Sequence, residues 1–319
     1  MAPDVRPTAY FSFDIEEHHR IEAAVGLEFS ENTKTAYAQR MVRCTKWILH
    51  ALAEFQAKAT FFVVGEIAQS YPHLIRLIVK NGHELASHSH QHFRVHRFTP
   101  QEFKDDLLRS KHALEDAGGV EVVGFRAPTF SVVSQTAWAI DVLHECGFQY
   151  DSSIFPVKHD RYGVPDAPRH PFWVLGKSAK MLELPPVTLK VGNYNLPAAG
   201  GGYFRLFPPA IMRSAIRQCL KDPHGLPVLY FHPWEFDLDQ PKLPLKTLSR
   251  FRTYVGISRS RSRLRQLLKE FHGARMIDAA RTILENPAHQ AQLPEYILGA
   301  TPGASGTNDS TTATDVTAH

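Results

Sequence analysis

Histidines concentrate in one short stretch, His83-Glu84-Leu85-Ala86-Ser87-His88-Ser89-His90-Gln91-His92. His88 and His92 stand four residues apart, so one helical turn or a tight loop can aim both imidazoles at one point. Directly after an apolar run, that spacing predicts either a divalent-metal site or a His-rich surface loop. Other reactive residues end other apolar runs: Asp14 and Glu16, Arg126, Asp151, and His232. An acid in that position is costly unless it meets solvent, a cation or a partner. Singly, each has an ordinary explanation: a helix cap, half of a surface ion pair, a satisfied core histidine. Their shared placement at strand ends argues for one common rim.

The elements that would position them alternate. Strands are predicted at residues 9–13, 59–64, 83–87, 120–125, 148–151, 181–184 and 227–231. Met41, Thr45, Ile48, Leu49, Leu52 and Phe55 recur at helical spacing, with Thr33 or Thr35 as the cap. A helix follows over 71–80, closed by Asn81-Gly82. Thr99-Pro100-Gln101-Glu102 sets a cap, a first-turn proline and a capping-box glutamate in register for a helix to about Ala117. A further helix is expected near 134–146. About seven strands alternating with amphipathic helices argue for parallel α/β architecture, a distorted (β/α)7-type barrel with polar residues at the C-terminal rim. An open doubly wound sheet fits less well, since no Gly-rich loop follows the first strand.

The chain of 319 residues, 43% hydrophobic, can bury a sizeable core, and its net charge of +4 is far from a nucleic-acid-binding signature. Cys44, Cys146 and Cys219 are widely spaced and odd in number, so buried free thiols are expected. No secretory signal and no run of about 18 apolar residues is seen, which makes the cytoplasm the expected location. Residues 242–275 are basic, with Glu270 the only carboxylate. They read as a helical extension over about 240–298, either solvated or facing acidic glycans, lipid-linked glycan or a membrane surface. Residues 1–298 are expected to form a single domain and 299–319 a disordered tail.

The motifs, in order, resemble the NodB-homology polysaccharide deacetylases, carbohydrate esterase family 4. Phe13-Asp14-Ile15-Glu16 is similar to the first motif of that family and Gly82 to His92 to the second. Phe125-Arg126-Ala127-Pro128 is similar to the third, Tyr150-Asp151-Ser152-Ser153 to the fourth, and Leu229-Tyr230-Phe231-His232 to the fifth. Gly200-Gly201-Gly202-Tyr203-Phe204-Arg205 and His232-Pro233-Trp234-Glu235-Phe236-Asp237 further resemble the exosortase (PEP-CTERM) exopolysaccharide branch. One departure stands out: the usual second acid of the first motif is Ile15, which binds nothing. The resemblance then implies that Glu16, two residues on and back on the same strand face, replaces it.

The resemblance implies a NodB-type barrel and metal-dependent removal of N-acetyl groups from N-acetylhexosamine units of an acetylated polysaccharide or oligosaccharide. Glu16, His88 and His92 would bind zinc, with cobalt or nickel as substitutes. Asp14 would act as base, steadied by Arg126. His232 would protonate the leaving nitrogen, held by Asp151. Ser89 would pin the histidine loop, His90 would stand behind the ligands, and His18 and His19 are competing ligands. Tyr230 would line a slot for the acetyl methyl. Pro128, Phe130, Trp234 and Tyr203 would contact sugar. The alternatives are a small amide or ureide hydrolase on the same fold, and a glycan-binding relative without catalysis.

Overall fold

The computed structural model describes residues 5–159 and 162–299. Its centre is a ten-stranded, mostly parallel sheet. Parallel strands β1 (Thr8–Ile15), β2 (Thr60–Val63), β3 (Glu84–Ser87), β4 (Gly124–Phe125) and β5 (Tyr150–Asp151) follow one another in order. Beyond the antiparallel pair β6 (Phe172–Leu175) and β7 (Lys180–Glu183) comes the two-stranded hairpin of β8 (Thr188–Val191) and β9 (Tyr194–Pro197). β10 (Val228–Phe231) pairs with β1, and bridges from Pro186 to Val228 and from Gly200 to Tyr230 bring the chain after β7 back to it. The circuit β1–β5, β7, β10 is thereby closed into a splayed seven-strand barrel. A Cβ on Gly200 would lie 1.6 Å from the Tyr230 carbonyl oxygen, so this closure requires glycine.

Alternation along the strands divides the core. Phe11, Phe13, Ile15, Phe61, Leu85, Phe125 and Phe231 belong to one large cluster, whereas Phe62, Ala86, Tyr150, Leu182 and Val228 form a second. Side chains two apart share a face, so Ser12, Asp14 and Glu16 lie opposite to Phe13 and Ile15. Ile15 is fully buried in the larger cluster, which explains why an apolar residue is tolerated between two acids.

The expected helices form with shifted ends. α1 (Glu31–Glu54) is capped by Ser30, which accepts from Thr33 N; Thr33 and Thr35 lie inside the helix. A short helix not expected from the sequence, α2 (Gly65–Ser70), precedes α3 (Pro72–Lys80), which matches the helix expected over 71–80. α4 (Pro100–Gly118) carries the full capping box, Glu102 N to Thr99 Oγ1 at 3.3 Å and Thr99 N to Glu102 Oε2 at 2.8 Å. The helix near 134–146 shortens to α5 (Ala139–Glu145).

After α6 (Gly201–Leu206), α7 (Pro209–Cys219), α8 (Thr247–Tyr254) and α9 (Ile257–Glu270), the basic extension departs from a purely helical reading. β11 (His272–Ala274) joins β1, and β12 (Glu295–Ile297) pairs with β6 after α10 (Met276–Leu284) and α11 (Pro287–Gln292). The three cysteines are buried and free. No helix among the described residues is long and apolar enough to cross a membrane. The expected tail lies, from residue 300 on, outside the described residues.

Candidate active site

Because the strands run parallel, the residues that follow β1, β3, β4 and β10 meet at one rim. Glu16, His88 and His92 each offer a ligand atom there, and the three atoms lie within 4.8 Å of one another. Glu16 Oε2 is 2.5 Å from His92 Nε2. His88 Nδ1 faces the Arg126 carbonyl oxygen at 2.7 Å; that acceptor fixes the proton on Nδ1 and leaves Nε2 free to ligate. Burial pushes the His88 imidazole down to about 4, so it is neutral, as a ligand must be. Burial opposes ionisation of Glu16, but His92, His232 and His88 together hold its carboxyl well below the usual range. Two imidazole nitrogens and one carboxylate in a buried triangle suit a divalent metal such as zinc.

The histidine loop is strained and deliberately held. Ser89 and His92 both adopt left-handed backbone, with φ of 60° and 61°. His92 N donates to Ser89 Oγ at 2.9 Å, and Ser110 Oγ of α4 donates to the Ser89 carbonyl at 3.0 Å. Asp106, also on α4, accepts from His90 N at 2.8 Å and Gln91 N at 3.2 Å. His90 turns away and packs on α2, where a Cβ on Gly65 would lie 2.4 Å from its Nδ1. His18 is committed elsewhere, with Nε2 3.0 Å from the Tyr254 hydroxyl and the ring 5.1 Å from that of Trp234. Neither His18 nor His19 joins the ligand cluster.

Asp14 is buried, and its Oδ1 accepts from Arg126 Nη1 at 2.8 Å. The same Nη1 donates to Ser12 Oγ at 2.6 Å, Nη2 to Ser152 Oγ at 2.8 Å and Nε to the Ser152 carbonyl at 3.1 Å. The guanidinium lies 4.2 Å over the Phe62 ring. His232 presents Nε2 to this group, 3.9 Å from Asp14 Oδ2 and 3.8 Å from Glu16 Oε1. Its side chain keeps 17% of its surface exposed, against 3% for Asp14, so the opening to solvent lies on the His232 side.

Three expectations are corrected. Asp151 does not hold His232. Tyr150 belongs to the inner cluster, so Asp151 points to the opposite face, where it accepts from Ser152 N and Ser153 Oγ and lies level with Glu183. Burial keeps both carboxyls of that pair high, Glu183 the more so because of Asp151. The residue that meets His232 Nδ1, at 2.8 Å, is Glu235. Trp234 is no sugar platform: its indole Nε1 donates to Glu16 Oε1 at 3.1 Å, and its ring stacks on His232 at 5.2 Å and under Arg205 at 5.1 Å. Phe130 is buried edge-on to Tyr230 at 4.8 Å, Tyr230 lies edge-on to His232 at 5.8 Å, and Pro128 is buried. Tyr203 is half-buried against Phe207. The sequence reading passed over Glu235, Arg205 and Asp106; the Glu at His232+3 was a visible signal.

Comparison with known proteins agrees with this architecture. Residues 23–150 match the polysaccharide deacetylase family model, and residues 152–281 match a domain of unknown function, DUF3473. A peptidoglycan-N-acetylglucosamine deacetylase of Bacillus cereus is 25% identical over 112 residues, 35% of this chain and 48% of that protein. A chitooligosaccharide deacetylase of Bradyrhizobium sp. is 38% identical over 74 residues, 23% of this chain and 34% of that one. The chain thus spans half or less of these relatives' length. In fold it is similar to a solved structure from Mycobacterium smegmatis, with a TM-score of 0.57 at 23% identity over 89% of this chain and 93% of that one. His88, His92 and Arg126 lie inside the deacetylase match and His232 inside the second, with Asp14 and Glu16 before both. Over residues 23–150 the chain is therefore similar to the polysaccharide deacetylases.

Proposed function

We propose that the protein is a metal-dependent deacetylase that hydrolyses N-acetyl groups on N-acetylhexosamine units of a bacterial polysaccharide. The carrying observation is the juxtaposition of the Glu16–His88–His92 triangle with Asp14 and His232 at one rim. Glu16, His88 and His92 would hold the ion, zinc by preference with cobalt or nickel able to substitute. When bound, it supplies Lewis-acid polarisation and a lowered water pKa. Asp14, kept in place by Arg126, which Ser12 holds in turn, takes the proton from the attacking water. His232 delivers a proton from Nε2 to the departing amine. Tyr230, Phe130 and Pro128 exclude water beside the acetyl group.

The polymer is proposed to be an exopolysaccharide, on the resemblance of the 200–205 and 232–237 motifs, with the reaction in the cytoplasm before export. Residues 1–298 are proposed to act as one unit, since the rim draws on both matched stretches. The test is acetate release from a panel of acetylated glycans, repeated after chelation and metal return. Full activity in metal-stripped protein would sink the reading in favour of a metal-independent amidase, and binding without any acetate release would favour a glycan-binding relative.

A second reading concerns the extension. On α8, Leu248 and Phe251 are 61% and 54% exposed. They are flanked by exposed Lys242, Lys246, Arg250 and Arg252. Apolar side chains ringed by cations suit anionic lipid head groups. Salt-sensitive co-sedimentation with phosphatidylglycerol vesicles, lost in L248S/F251S, is the expected result; equal binding by that variant would exclude α8.

A further inference from the structure

A histidine that delivers a proton from Nε2 needs a partner that holds its ring and its Nδ1 proton, and Asp151 does not serve. We propose that Glu235, itself held by Arg205, is the positioning residue of His232, an assignment that rests on the deacetylase reading of this site. The α6–α9 segment then belongs to the catalytic frame.

One oxygen of Glu235 grips His232 twice. Oε1 accepts from the backbone N at 3.0 Å and faces Nδ1 at 2.8 Å, which fixes both the start and the side of the ring. The other oxygen, Oε2, accepts from Arg205 Nε at 2.7 Å. Arg205 is tied in turn by Nη1 to the carbonyls of Thr253 at 2.5 Å and Val255 at 3.2 Å. The turn between α8 and α9 is moulded on it: Gly256 has φ of 72°, and a Cβ there would stand 2.2 Å from the Arg205 carbonyl oxygen. Ser260 Oγ of α9 donates to the Glu235 carbonyl at 2.6 Å. Glu235 is fully buried and Arg205 2% exposed. An ion pair so deeply buried gains little stability over apolar packing, so its placement against a candidate proton donor points to positioning. Trp234, one residue before Glu235, reaches Glu16 from the same turn. A single short segment therefore orients both the acid and one metal ligand.

The test compares Glu235→Gln with Asp151→Asn in the full chain. The amide of Glu235→Gln has one acceptor oxygen where the carboxylate served both Arg205 and His232. The cation takes that oxygen, and the amide NH2 turned to His232 forces Nδ1 to give up its proton. We expect kcat for acetate release to fall about 10²–10⁴-fold with KM little changed. In 15N-labelled, metal-free protein the His232 Nδ1 resonance should move from a protonated to a lone-pair position. Asp151→Asn should leave that resonance in place and cost less than about tenfold in kcat. Should Glu235→Gln fail to fold, the double variant Arg205→Met/Glu235→Leu, which replaces the buried ion pair with apolar side chains of similar size and removes the same acceptor, is read the same way. An unchanged Nδ1 resonance in these variants, or a larger kcat loss in Asp151→Asn, would overturn the assignment. Because the resonance is read without substrate, it decides the positioning role even if no acetylated glycan is turned over.

Discussion

The indole Nε1 of Trp234 donates a 3.1 Å hydrogen bond to Oε1 of Glu16, joining the 3-10 turn after β10 to the end of β1. With Oε1 so engaged, Oε2 is the oxygen turned to His92. A donor behind a ligating carboxylate orients it and tunes its basicity. Trp234→Phe deletes this donor while keeping an aromatic ring beside His232. Metal affinity is expected to drop about 10–100-fold, read by chelator competition. Unaltered affinity would mean that the indole N–H does not orient Glu16.

Asp14 and the ligand triangle separate chemistry from metal binding. Asp14→Asn preserves the shape of the Arg126 contact but removes the proposed base. Its metal content should equal that of the parent protein, with turnover reduced about 10²–10⁴-fold. His88→Ala should lose the metal outright. Elemental analysis of both purified variants, beside acetate release, checks the pair. Near-normal turnover by Asp14→Asn would reassign the base.

Asp106 tests what keeps the ligands in place. It is the acceptor for two buried N–H groups in a loop with two left-handed residues, so Asp106→Ala strands both donors. Each should cost about 1–3 kcal/mol, visible as a lower denaturation midpoint of the metal-free protein. Metal affinity should fall with it, because His92 is anchored through Ser89 in the same loop. A variant with normal midpoint and affinity would show that Ser110 alone suffices.

Much of this site was legible in the chain because parallel strands send every C-terminal end to one rim. Apolar runs closed by Asp14, His88, Arg126 and His232 therefore announced neighbours without any tertiary information. Parity along β1 was legible too, since Asp14 and Glu16 are two apart with Ile15 between them. The same parity argued against Asp151: Tyr150 enters the inner cluster, which turns Asp151 outward to Glu183. The role of Trp234 was not legible, because an indole looks the same in sequence whether it faces solvent or a carboxylate. β11 and β12 were missed for a related reason. They are three-residue strands whose partners, β1 and β6, lie far away in the chain, so periodicity has nothing to register.

Glu84 offers a pH test away from the rim. At the opposite end of β3 it accepts from Thr60 Oγ1 at 2.6 Å, Ile277 N at 2.8 Å and Tyr150 Oη at 2.8 Å. Burial nevertheless outweighs these donors and pushes its carboxyl from 4.5 up to about 7. A folded-state value above the unfolded one means that the native protein holds the proton more tightly. The contribution is fully present below pH 4.5 and is lost as pH rises through 7. Glu84→Gln matches the shape and does not titrate. Relative to this variant, the parent protein should lose up to about 3 kcal/mol of unfolding free energy between pH 4.5 and pH 8. Groups common to both proteins, including Asp106 and the Asp151–Glu183 pair, cancel in the difference. Denaturant unfolding of the two metal-free proteins at pH 5 and 8 measures it, and parallel stability curves would mean that Glu84 titrates like an exposed acid.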